Sequence, residues 1–192
     1  MHTASEQGRF DIVGIILDNF KGDKNPADQN GVTPLHRASE NGHIDIVRIL
    51  LDNIEGDKNP ADHAGVTPLH LAVNSHLYQV IKFPIVNILL DNIEGDINPA
   101  DNNGWTPLHI ATKFGDVEIV KLLLNNIHGE KNPPDHKGVT PLHLACSRIL
   151  KPKVIYLLLA NIEGDKNPAD HNGVTPYDLL QKAALSARNF EW

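Results

Sequence analysis

The chain has 192 residues, 41% hydrophobic and 21% charged, an ordinary balance for a soluble globular protein. Its formal net charge of −7, with lysines and arginines scattered, argues against nucleic acid or membrane as the main partner, because such a surface repels phosphate backbones and anionic lipid alike. One cysteine, Cys146, excludes an internal disulfide, no Asn-x-Ser/Thr sequon occurs, and the longest apolar run, Val154 to Ala160, is far short of a membrane span, so the expected setting is cytoplasmic.

Met1 opens directly onto polar sequence with no apolar signal core. The segment His2 to Asp11 aligns with His36 to Asp45, so the expectation is an opening half-repeat, as in an excerpt from a longer array. From there the chain repeats itself. Thr-Pro-Leu-His begins at Thr33, Thr67, Thr106 and Thr140, and Thr-Pro-Tyr-Asp at Thr175, at intervals of 34, 39, 34 and 35 residues. Asn-Pro-Ala-Asp recurs from Asn25, Asn59, Asn98 and Asn167, with Asn-Pro-Pro-Asp from Asn132. A constant period with one template means one supersecondary unit, stacked.

In the second unit Thr33 suits an N-cap and Pro34 the first helical position. Leu35 and Ala38 share one face of a short helix that ends at Asn41-Gly42, where Gly supplies a left-handed turn. Ile46, Val47, Leu50 and Leu51 then recur at helical spacing. This second helix is expected to stop at Asn53 through a positive φ, with Ile54 sealing its end by apolar contact. Glu55 to Asp62 cannot be helical, since Gly and Pro interrupt it and the residue before Pro is forced extended. Asp62-His63-Ala64-Gly65 reads as a tight turn. Neither short helix can bury its apolar face alone, and stacking like units solves that.

The third unit carries five extra residues within Ser75 to Ile85 and lacks the interhelix Gly. Its apolar stretch, Leu77, Tyr78, Val80, Ile81 and Phe83, is expected to lengthen both helices by a turn and bury itself, the alternative being an exposed patch. The fifth unit has one extra residue around Ile149 to Pro152 and also lacks that Gly. At the far end Thr175 to Ala184, with Phe190 and Trp192 beyond, reads as a C-terminal cap.

The Gly-x-Thr-Pro-Leu-His-x-Ala, Gly-His-x-x-Ile-Val-x-x-Leu-Leu and Asp-x-x-Gly elements of Gly31 to Leu51, nearly all repeated from Gly104 to Leu124 with Asp116 in the His place, resemble the ankyrin repeat. The resemblance covers essentially the whole chain. It implies an all-α ankyrin-repeat solenoid of stacked helix-turn-helix units with extended β-turn fingers. Residues 1–192 form one domain on this reading, in units near 1–29, 30–63, 64–102, 103–136, 137–171 and a capping 172–192. The implied function is a protein–protein interaction scaffold that binds a protein on the concave face of finger tips and first helices, as a monomer and without a cofactor.

Eleven histidines invite a metal hypothesis. In the family, however, the imidazole of Thr-Pro-Leu-His links the Thr hydroxyl to backbone of the next repeat, and such slots sit too far apart to converge on one ion. His63, His136 and His171 each follow an Asp at a finger tip. They offer the rival reading of a weak hydrolase or small-molecule binder, against which stands the absence of a paired nucleophile. A third reading is a passive spacer in a longer array. By motif match, the groove positions chosen as partner-binding are Trp105, Phe114, Lys113, Asn103, His136, Lys137, Arg148, His63 and Asn74. Trp105 stands where other units have Val, and Phe114 where the second has Asn41. Either these aromatics anchor a partner, or Trp105 lies flat on the neighbouring finger as packing. No residue is assigned a catalytic, cofactor or metal role.

Overall fold

The computed structural model describes residues 1–147 and 152–188; Arg148, the extra residue around Ile149 to Lys151, and Phe190 and Trp192 lie outside the described residues. Among the described residues the chain is all-helical: α1 (His2–Glu6), α2 (Phe10–Asn19), α3 (Pro34–Asn41), α4 (Ile44–Asn53), α5 (Pro68–Asn74), α6 (Gln79–Asn92), α7 (Pro107–Phe114), α8 (Val117–Asn126), α9 (Pro141–Cys146), α10 (Pro152–Asn161) and α11 (Pro176–Arg188). The fold is a solenoid of helix-turn-helix repeats. It divides into two compact units, Met1–Ile97 and Asn98–Trp192. None of these helices is long and apolar enough to cross a membrane.

In the first unit α3 packs between α1 and α5, while α4 packs between α2 and α6. Leu35, Leu50, Leu69, Ile85 and Leu89 are fully buried there. In the second unit α9 lies between α7 and α11, and α8 packs on α10, around Leu108, Leu123, Leu124 and Leu142. Each fully buried Leu or Ile contributes roughly 1.5–3 kcal/mol, and no helix pair could collect that without its neighbours.

The first helices α3, α5, α7 and α9 each start at the Thr, as the sequence predicts. Thr33 is extended (φ −109°, ψ 165°) and its hydroxyl accepts the His36 N–H, with Pro34 at the first helical position. A further donor is satisfied from farther away: Asn25 Oδ1 accepts the Leu35 N–H at 3.0 Å. Asn59, Asn98 and Asn132 do the same for Leu69, Leu108 and Leu142, and Asn167 for Tyr177. This gives the Asn of Asn-Pro-Ala-Asp its purpose: it is an acceptor, buried at Asn25, Asn59, Asn98 and Asn132 and exposed at Asn167, for the next helix's free N-terminal N–H. The Asp two residues before it, at Asp23, Asp57 and Asp165, accepts the Asn backbone N–H at 2.8 Å and shapes the approach.

The helix ends differ from expectation in one respect. Gly42 closes α3 in the left-handed region (φ 83°, ψ 21°) as predicted, and Gly115 closes α7 likewise. Asn53, however, is helical, and among the described residues no non-glycine has positive φ. The chain leaves α4 straight into extended geometry at Ile54 (φ −82°, ψ 118°), so no left-handed residue is needed. Asn53 instead folds its side-chain amide back onto the Ile49 carbonyl at 2.8 Å, and Asn19, Asn92, Asn126 and Asn161 repeat this on the carbonyl four residues back. The sealing contact varies: Ile127 and Ile162 are buried, while Phe20 is exposed.

The insertion also departs from the expected form. It lengthens one helix only: α5 has 7 residues and α6 has 14, against 10 for α4. Ser75 ends α5 in extended geometry with its hydroxyl on the Ala72 carbonyl, so the extra residues pass to the start of α6. A turn of helix presents only part of its circumference inward. Leu77 and Ile81 are half-buried over Gly42, whereas Tyr78 and Val80 are 83% and 77% exposed. The expected burial of the whole stretch is therefore wrong for Tyr78, Val80 and Phe83.

Candidate functional site

The fingers are rigid because each Asp organises its own turn. Asp135 Oδ1 accepts the N–H groups of Lys137 at 2.8 Å and Val139 at 2.9 Å, and the Gly138 N–H closes back on the Asp135 carbonyl at 2.9 Å. Asp28, Asp62, Asp101 and Asp170 hold their turns in the same way. At Asp170 these bonds, the Val174 N–H first, hold the carboxyl below its ordinary range, and at Asp28 the Asn30 N–H does so. A carboxylate that receives amide donors is favoured in its charged form.

Successive fingers are then joined through backbone. Within the first unit the His63 N–H donates to the Asn30 carbonyl at 2.9 Å. Within the second, His136 N–H donates to Asn103 at 3.1 Å and His171 N–H to Lys137 at 2.9 Å. The approach is so close that Gly104 (φ +82°) could not carry a side chain: a Cβ there would lie 2.7 Å from the His136 nitrogen.

The buried imidazoles add a second set of ties. Thr33 N–H and hydroxyl both face His36 Nδ1, at 3.1 and 2.8 Å, leaving Nε2 to donate to the Val66 carbonyl at 3.0 Å. The bonds fix the tautomer, since a carbonyl can only accept. His2 reaches Val32, His109 reaches Val139 and His143 reaches Val174 in the same manner. Burial pushes the His36 imidazole below its ordinary value. Asp178, the variant in the last unit, keeps the local cap with Thr175 (2.7 Å to the hydroxyl), and that hydrogen bond lowers its carboxyl.

On this frame the second unit places Trp105, Lys113 and Phe114 together. Trp105 is half-buried, its indole N–H donates to Asp135 Oδ2 at 3.0 Å, and its ring stacks on His109 with centroids 5.9 Å apart. The Lys113 ammonium sits 5.0 Å from the Trp105 ring centroid and 5.9 Å from that of Phe114. Phe114 is 44% exposed at the last residue of α7. Asn103, His136 and Lys137 are exposed on the adjoining tips, while Arg148 lies outside the described residues. His63 and Asn74 are exposed in the first unit, on a finger tip and at the end of α5. The sequence could not identify Asp135 as the Trp105 partner, because the bond spans 30 residues and joins two fingers.

At the Asp-His tips Asp135 and Asp170 turn Oδ1 onto backbone N–H groups, and His136 and His171 stand exposed to water. Among the described residues no group of three His, Cys, Asp or Glu side chains could hold a metal ion. Cys146 is 4% exposed on α9, and burial pushes its thiol up to about 11.

Short paired helices, glycine-tipped fingers and, within each unit, Thr–His ties between neighbouring repeats define a repeat protein whose repeats cohere through neighbours. The profile described as ankyrin repeats (3 copies) matches residues 1–83 and 77–170, and the chain belongs to the ankyrin-repeat family. Its fold is similar to the crystal structure of an ankyrin repeat domain from Acinetobacter baumannii AYE, with a TM-score of 0.81 and 23% identity over 96% of this chain and 91% of that one. No curated protein sequence matches it. Ankyrin repeats are in general protein–protein interaction modules.

Proposed function

We propose that this chain is a non-enzymatic scaffold that binds a protein partner through the face carrying the finger tips and first helices, centred on Lys113 and Phe114. The carrying observation is an exposed aromatic, Phe114, beside a lysine poised over two rings, on a backbone tied finger to finger. Aromatic and cationic side chains on a preordered surface are the composition of an interface anchor, and preorder reduces the entropy lost on binding. Trp105 acts in this reading as the platform: its indole N–H is committed to Asp135, and Lys113 rests on its ring. Asn103, His136 and Lys137 border the anchor, with Arg148 as a further contact. His63 and Asn74 serve the same role on the first unit. Residues 1–192 act as one monomeric domain inside the cell, with no cofactor.

The test is affinity capture from the source cell with the wild-type chain and with Phe114→Ala plus Lys113→Ala. Both side chains are exposed, so the double variant should keep the melting temperature within about 2 °C. The expected result is a specific protein retained by the wild type and lost by the variant. Identical capture by both would move the site elsewhere.

A further inference from the structure

We propose that the finger-tip face of the second unit takes an acidic peptide segment, whose carboxylates meet Lys113 and Lys137 while an apolar side chain lies against Phe114. This rests on the protein-binding reading above and names the chemistry of its partner.

The argument is one of charge placement. The chain has 24 Asp and Glu against 17 Lys and Arg. Yet on the finger tips of the second unit (102–103, 136–137, 171–172) and the last turns of α7 and α9, the exposed ionisable side chains among the described residues are Lys113, His136, Lys137 and His171. Two are lysines, two are histidines, and no exposed carboxylate stands among them. The carboxylates that do belong to these fingers, Asp101, Asp135 and Asp170, are half-buried or buried and turned onto backbone N–H groups. The exposed acidic side chains of this unit among the described residues lie elsewhere, on the helix-to-finger connections at Glu130, Glu163 and Asp165 and in the first turns of α8 and α11 at Glu118 and Asp178, while Asp116 is half-buried as the N-cap of α8.

The bias is not built into the repeat. In the first unit the positions matching Lys113 are Glu6, Glu40 and Asn74, all exposed, and Glu40 lies 3.8 Å from Arg37. With Lys113 where the first unit has Glu or Asn, and Lys137 where it has Asn30 or Ala64 at the tip, the second unit gains positive charge on this face that the first unit lacks at these positions. The lysine is also held ready. Its ammonium rests over Trp105 and Phe114, and because an ammonium carries three N–H donors it can serve a ring and a carboxylate together.

A peptide fits better than a nucleic acid. Two lysines neutralise only two phosphates, whereas backbone binding gains its strength from many, and a chain of net charge −7 repels a polyanion at long range. A segment with two or three carboxylates around one apolar residue matches the lysines, the Phe114 face and the hydrogen-bonding tips at once.

The experiment selects a random phage-displayed library of peptides about twelve residues long on the intact chain, then measures the enriched peptides by fluorescence anisotropy. The expected result is enrichment of Asp and Glu around an apolar residue. Affinity should fall at least about tenfold in Lys113→Glu with Lys137→Glu, and several-fold as NaCl rises from about 0.05 to about 0.5 M. Both lysines are exposed, and circular dichroism melting checks that the variant remains folded. Peptides that lose affinity in Phe114→Ala but show neither acidic enrichment nor sensitivity to the lysine reversals would overturn acid recognition and leave the binding face standing. Peptides indifferent to all three substitutions, or no enrichment at all, would overturn both. A labelled single-stranded oligonucleotide that displaces the peptides through the same lysines would assign the face to nucleic acid instead.

Discussion

Replacing Gly104 by Ala, with Gly173→Ala as its partner experiment, separates backbone strain from finger-to-finger contact. Both glycines are left-handed, at φ +82° and +77°. A Cβ at Gly173 meets nothing within 4 Å among the described residues, whereas at Gly104 it lies 2.7 Å from the His136 nitrogen and 2.8 Å from the Asp135 Cα. The left-handed conformation costs an L-residue roughly 1–2 kcal/mol, offset in part by about 0.4–1 kcal/mol from the stiffer unfolded chain. Gly173→Ala should therefore destabilise by about 1 kcal/mol. At Gly104 backbone stands in the way, so the neighbouring finger must retreat. That retreat loosens the His136 N–H bond to Asn103 and the Trp105 indole bond to Asp135, adding about 1–3 kcal/mol. The total near 3 kcal/mol is readable from guanidinium unfolding followed by far-UV circular dichroism, with midpoints compared at equal slope. Equal destabilisation by the two changes, or a milder effect at Gly104, would refute the claim that the fingers are in backbone contact.

Other expectations follow from the buried groups. Burial lowers the His36 imidazole from its ordinary 6.5, so the unfolded chain takes up that proton first. Its contribution to stability is complete above about pH 6.5 and is lost as pH falls below it towards the lowered folded value. Urea midpoints should thus be flat near pH 7–8 and fall on acidification, and a stability maximum below pH 6 would contradict this. Cys146, with its thiol near 11, should react with a thiol reagent at pH 8 roughly a hundredfold more slowly in the native state than after unfolding. Comparable rates would mean that α9 opens readily. Asn132→Ala leaves the Leu142 N–H without its 3.1 Å acceptor at a buried helix start and should cost about 1–3 kcal/mol. Destabilisation under 0.5 kcal/mol would show that another group satisfies that donor.

What was legible in the sequence is what recurs locally. Thr33, Pro34 and His36 lie within one turn, so their capping roles follow from spacing alone, and Gly42 announces a left-handed stop. The Asn53 ending was misread because a left-handed Asn and a helical Asn bonded to the carbonyl four residues back have the same sequence context. Only the geometry of the following Ile54 decides between them. The strict recurrence of Asn ten residues before each buried Leu was a signal available from sequence, and it marked the acceptor at Asn59 and Asn132. The insertion could be located but not resolved into inward and outward residues, since Ser75 determines which helix receives the extra turn. At the candidate site the two readings of Trp105 depended on a bond to Asp135 across 30 residues, which no local pattern encodes. Trp105 and Phe114 stood out as departures from template, whereas the charge setting of Lys113 beside them needed the Asp side chains seen turned inward.

The central claim, that the finger-tip face of the second unit is where a protein lands, is tested most directly by photo-crosslinking in the source cell. A benzophenone side chain replaces either Phe114 at the end of α7 or Tyr156, which is exposed on the second helix α10. The account predicts a discrete protein adduct from position 114 and none from position 156. An adduct from 156 with silence at 114 would contradict it.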